Sequence, residues 1–103
     1  MSRNLRLLAA VLAALASTPV AAHADAAAGE RLARQWCVNC HVVESGQTAG
    51  TVPQGPPSFA TIAGRLDAGQ LRTFLARPHA PMPDLALSRA EIDDLVAYIG
   101  TLR

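Results

Sequence analysis

The chain has 103 residues, half of them apolar, and all nine of its basic residues are arginines set against eight acids. Such a balance excludes the clustered basic face of a nucleic-acid binder. No internal repeat, second-domain linker or low-complexity tract beyond the N-terminal segment divides the chain, so it reads as one small domain.

In chain order, the first element is a targeting segment. Arg3 and Arg6 flank a short basic start, an unbroken apolar run follows from Leu7 to Ala16, and small residues surround Pro19. Ala22-His23-Ala24 then offers an A-x-A cleavage site before Asp25. Basic start, apolar stretch and small-residue exit are the order of a secretory signal peptide, and residues 1–24 are assigned to it. The apolar run is shorter than the ~20 residues that a membrane span needs, which disfavours the alternative of an uncleaved anchor. Residues 25–103 remain as the mature domain, with a net charge near −1 because only seven arginines face the eight acids.

Asp25 is placed to cap a helix running through the alanines and Glu30 to about Trp36. Val42 to Pro57 carries three glycines and three prolines without an apolar period, the signature of a long loop. Ser58 to Gly64 has the makings of a short helical turn around Phe59 and Ile62. Asp67 is a further N-cap, and Leu71, Phe74 and Leu75 form a helical stripe that Pro78 terminates. Pro78-His79-Ala80-Pro81-Met82-Pro83 cannot be regular helix and is expected to be a stiff, extended loop. Ser88 and Glu91 form a capping box, Leu87 and Ile92 fit the accompanying hydrophobic staple, and Ile92, Leu95, Val96, Ile99 and Leu102 mark one apolar face of the last helix. No segment alternates at period two, so the fold class is all-α.

A domain of about 80 residues buries little surface and usually needs a staple. A Cys37–Cys40 disulfide would close a tiny loop and remove little unfolded-state entropy. Cys37-Val38-Asn39-Cys40-His41 supplies something better, because C-x-x-C-H is the attachment sequence of haem c. Two thiols three apart on a helical turn can reach the two vinyl groups of one porphyrin and form thioethers, and the next imidazole is carried under the iron as an axial ligand. A thioredoxin-like redox pair wants a βαβ context, and none is visible. Half of a zinc site wants a second cysteine pair, and only His79 remains as a distant imidazole.

Met82 is the one methionine left once the leader is removed, held between Pro81 and Pro83, where it can be presented rather than packed into a helix face. Its soft sulfur favours ferrous iron, so it is the candidate sixth ligand. His79 is the rival, which would give a bis-His centre of lower potential; its alternative role is a surface or propionate-contacting side chain. Trp36, before the first cysteine, is read as a haem-edge or core aromatic.

These features resemble class I cytochromes c, and the likeness covers nearly all of residues 25–103. Gly29 stands eight residues before Cys37, where the family uses a glycine to let the first helix cross close to the last, and Leu95 and Tyr98 in L-V-A-Y resemble the partner side of that crossing. Q-G-P-P-S-F is similar to the family's Gly-Pro segment, whose proline carbonyl accepts a hydrogen bond from the axial histidine. Pro57 fits that place best, with Pro56 as the alternative. Gly64-Arg65 resembles a pair whose arginine neighbours a haem propionate, and the run from Met82 to Ile92 resembles the bacterial arrangement in which the methionine loop leads into the last helix. The resemblance implies three to four helices around one covalent haem, with crossing N- and C-terminal helices. It departs from mitochondrial members in lacking the lysine ring that docks acidic partners, so partner choice is expected to rest on apolar contact and a few arginines.

The expected function is a periplasmic, monomeric carrier of single electrons, with no catalytic residues, exchanging electrons with a dehydrogenase, a cytochrome complex or an oxidase. One alternative is the haem c subunit of a larger periplasmic oxidoreductase. A gas-binding cytochrome with an open sixth site and a haem-free thiol–disulfide protein are the remaining rivals.

Overall fold

A computed structural model describes residues 23–45 and 55–103. Most of the expected targeting segment, residues 1–22, and residues 46–54 of the expected long loop lie outside the described residues. Four α-helices are described and no strand is found among the described residues: α1 (Ala26–Leu32), α2 (Phe59–Arg65), α3 (Ala68–Ala76) and α4 (Arg89–Gly100).

Each helix begins on a side chain that satisfies N–H groups the helix itself leaves unpaired. The Asp25 carboxylate accepts from Ala27 N and Ala28 N, and Ser58 accepts from Thr61 N. Asp67 with Gln70, and Ser88 with Glu91, close reciprocal capping boxes. The first helix departs from the expected single run to Trp36. It is α-helical to Leu32 and then widens into a π turn, Ala33–Cys37, in which Val38 N donates to Ala33 O at 3.1 Å. Apolar periodicity does not register one extra residue in a turn. Cys37 closes the widened turn, partly buried and packed against the core, and such π segments recur at functional sites.

α4 is the spine of the packing. Ile92, Leu95, Val96, Tyr98 and Ile99 are buried on it, joined by Ala33, Val43, Phe59, Ala63 and Leu71 from elsewhere in the chain. α1 packs mainly against α4, and α2 and α3 lean on other parts of it. At the α1–α4 crossing, Gly29 is in direct contact with α4: a Cβ there would overlap the Asp94 carbonyl and stand 2.9 Å from Tyr98 Cβ. Arg72 on α3 pairs with Asp93 on α4 at 2.8 Å, and Arg103 donates to Leu66 O at the end of α2, 3.2 Å away.

Candidate haem site

The π turn delivers its cysteines onto one further helical turn. Cys40 N and His41 N both donate to Cys37 O, at 3.1 and 2.9 Å, so both thiols and the imidazole project from a single loop of backbone. Neither cysteine is in a disulfide. Burial pushes the Cys37 thiol up from its ordinary value, and the charge of Cys40 adds to the shift.

His41 is half-buried, and its Nδ1 lies 2.7 Å from Pro57 O. A carbonyl can only accept, so Nδ1 carries the proton and Nε2 keeps its lone pair, the tautomer that a metal-binding imidazole requires. The Phe59 ring packs on the imidazole with centroids 5.4 Å apart and planes tilted by 55°. Of the two prolines in the Gly-Pro segment, Pro57 and not Pro56 supplies this contact. Such a contact holds the ring in one orientation and one tautomer, as the second partner of a ligating histidine does.

The three residues after His41 are tied to three different elements. Val42 O accepts from Phe59 N at the start of α2, at 2.9 Å. Val43 is fully buried, and its carbonyl accepts from the Tyr98 hydroxyl on α4 at 2.6 Å. Glu44 meets the Arg34 guanidinium of the π turn at 3.0 Å, and Arg34 also pairs with Glu30, at 2.7 Å. The bond to Glu30 and the nearby Glu44 raise the Arg34 pKa further. Burial, with Glu30 and Glu44 adding to it, pushes the Tyr98 phenol up and keeps it a neutral donor. These ties hold the backbone of His41, while Pro57 and Phe59 support its ring.

Sequence reasoning placed Tyr98 at the helix crossing and missed what its hydroxyl does. A buried tyrosine needs a partner for its O–H, which was the available signal. The Arg34–Glu30 pair was legible as an i,i+4 spacing on a helix; Glu44, across a loop, was not. Asp94 was also missed, and nothing local marks it.

Met82 stands on a separate segment between α3 and α4, half-buried, with its N–H donating to His79 O at 2.9 Å. His79 is exposed, its ring edge-on to Phe74 with centroids 4.9 Å apart, and its Nδ1 lies 3.0 Å from Ala80 O. Trp36 is 53% exposed and Val38 39% exposed, the two exposed large apolar side chains among the described residues. Trp36 is therefore not part of the polypeptide core, contrary to one of its two expected roles.

The donor set fits a haem c group: two unpaired thiols three residues apart, an imidazole whose Nδ1 is already engaged, and uncovered apolar side chains on the same turn. Among the described residues no cluster of three or more metal-ligating side chains points to a different metal centre.

Comparison with known proteins agrees. Residues 24–99 match the family described as "Cytochrome C oxidase, cbb3-type, subunit III". The chain is also similar to cytochrome c-552 of Bradyrhizobium diazoefficiens, at 45% identity over 105 residues, covering 100% of this chain and 99% of that protein. No solved structure matches it. The chain thus belongs to the c-type cytochromes as a small class I member, an electron carrier whose cofactor is a covalently bound haem c.

Proposed function

We propose that residues 1–24 direct export and are removed, and that residues 25–103 act in the periplasm as a soluble, monomeric carrier of single electrons. In this reading Cys37 and Cys40 would hold the haem through thioethers, and His41 and Met82 would bind its iron. The observation that carries it is the contact between His41 Nδ1 and Pro57 O, 2.7 Å, which leaves Nε2 as the imidazole's free lone pair on the turn that bears both thiols.

Haem c supplies a one-electron ferric–ferrous couple when bound. Everything else falls to the chain. Pro57 O holds the Nδ1 proton and so fixes the imidazole's tautomer and tilt, and the Phe59 ring restrains its rotation. Val42, Val43 and Glu44, each tied to a different element, keep the His41 backbone from moving when charge changes nearby. A small change of geometry on electron transfer is what a carrier requires. Met82, on a proline-flanked segment, would close the second axial position, exclude water and leave no open site for a substrate, so no enzymatic reaction is assigned. With no lysine in the chain, docking to redox partners would rest on apolar surface and arginines.

A second reading, a haem c subunit of a larger oxidoreductase, is favoured by the name of the matching family, an oxidase subunit. End-to-end similarity to cytochrome c-552 favours the free carrier. The native mass of the exported protein separates the two: co-purification with a catalytic subunit would replace the carrier reading. For the ligands, visible spectra of the haem-loaded protein should show the weak far-red band of methionine–ferric iron, and Met82→Ala should abolish it. Persistence of that band in the variant would remove Met82 from the iron.

A further inference from the structure

Asp94 touches α1 at two places one helical turn apart. Its backbone carbonyl abuts Gly29, and its side-chain Oδ1 accepts from Asp25 N at 2.7 Å, across 69 positions of sequence. Asp25 caps α1 with its own side chain, and its N–H also has a carboxylate from a distant helix aimed at it. Asp25 is also the residue that follows the A-x-A site, and His23 and Ala24 before it are exposed and outside any helix.

We propose that Asp94 is the built-in partner of a new amino terminus: cleavage after Ala24 turns the Asp25 N–H into an ammonium group that ion-pairs with the Asp94 carboxylate and latches α1 onto α4. The proposal rests on the reading of residues 1–24 as a removed leader. Hydrolysis by an export-coupled peptidase consumes one water, breaks the Ala24–Asp25 C–N bond, and leaves a carboxylate on the departing peptide and an ammonium on Asp25.

Physical chemistry sets the sign. A positive charge at the start of a helix is opposed by the helix dipole. Two carboxylates offset it here. Asp25's own lies over Ala27 N and Ala28 N, and Asp94's lies on the nitrogen itself. The precursor's bond already has an ionised acceptor; processing puts a positive charge on the donor as well, so an ion–dipole contact becomes an ion pair. Asp93, the next residue on α4, is engaged by Arg72 and does not compete. The latch is strategic because Gly29 N donates to Asp25 O, 3.0 Å away, so fixing Asp25 fixes the register in which Gly29 meets α4. The pair raises the amine's pKa. It therefore adds stability below the free α-amino value of about 8, and that stability is lost as pH rises through the folded value.

The chain contains no lysine, so the α-amine is the sole alkyl amine of the mature protein and can be read without interference. The exported, haem-loaded protein would be treated with an amine-acylating reagent near pH 8, alongside Asp94→Asn. Both would be compared with versions that mature with Gly-Ser ahead of Asp25, which moves the ammonium off the site but keeps an N–H there. Acylation should run about 3- to 10-fold faster in Asp94→Asn when Asp25 is the terminus, and at an unchanged rate in the extended pair. Asp94→Asn should lower Tm by about 4 °C in the first pair and by less in the second. Equal rates and equal Tm losses in both pairs would overturn the latch while leaving the leader reading intact. Intact mass showing a terminus other than Asp25 would overturn both.

Discussion

At the scale of single residues, the site depends on hydrogen bonds that set what a side chain presents. His41 offers Nε2 because Pro57 O occupies Nδ1. Tyr98 offers its hydroxyl to Val43 O from a buried position, keeping the backbone two residues beyond His41 tied to α4. Tyr98→Phe keeps the ring and deletes only that bond, so it should cost about 1 kcal/mol. If the bond helps to hold His41, the variant should also broaden or shift the Soret band of the haem-loaded protein. Denaturant melts together with visible spectra check both, and an unchanged unfolding midpoint would assign the hydroxyl no role in stability. Pro57 was legible as one of two adjacent prolines. Choosing between them needed the fold, because the two carbonyls differ by one peptide in a loop and only one of them meets the imidazole.

At the scale of elements, capping and close approach carry the helices. Gly29 has α4 backbone where a Cβ would be. Backbone cannot rotate aside as a side chain can, so Gly29→Ala should force the helices apart and cost about 3 kcal/mol or more. The result would be read as a lower urea midpoint or a failure to accumulate holoprotein. A native midpoint would mean that the crossing tolerates a methyl group. The capping box of α4 gives a pH prediction. Hydrogen bonding to the Ser88 backbone, and secondarily to its side chain, holds Glu91 below the usual carboxylate range. A depressed folded value means stability that is present above the unfolded pKa and lost as pH falls through the folded one. Glu91→Gln can still close the box, so it should change little at neutral pH and flatten the acid limb of the stability profile below about pH 5. Urea midpoints measured across that range test it, and an identical acid limb would deny Glu91 any share.

At the scale of the whole molecule, the interior is thin. Ten buried apolar residues form the core of the described chain, five of them on α4, while Trp36 and Val38 beside the thiols remain uncovered. Such a core leaves a small margin over the entropy of ordering the chain. A covalent haem adds the apolar contact area that the polypeptide lacks. Replacing both anchors, Cys37→Ala with Cys40→Ala, should give a colourless chain with weakened helical signal and a shallow melt in far-UV circular dichroism. A cooperative melt at the holoprotein's Tm would show that the polypeptide core suffices alone.

What the sequence by itself determined was local chemistry: the C-x-x-C-H turn, and helix starts at Asp25, Ser58, Asp67 and Ser88, whose caps act on N–H groups no more than three residues away. Stereochemistry over so short a span follows from residue type and spacing. The tertiary structure decided contacts that span 16, 55 and 69 positions, His41 to Pro57, Tyr98 to Val43 and Asp25 to Asp94. It also decided the π turn that ends at Cys37. Partners so distant in sequence are selected by how the other three helices pack around α4, and spacing along a single chain carries no record of that choice.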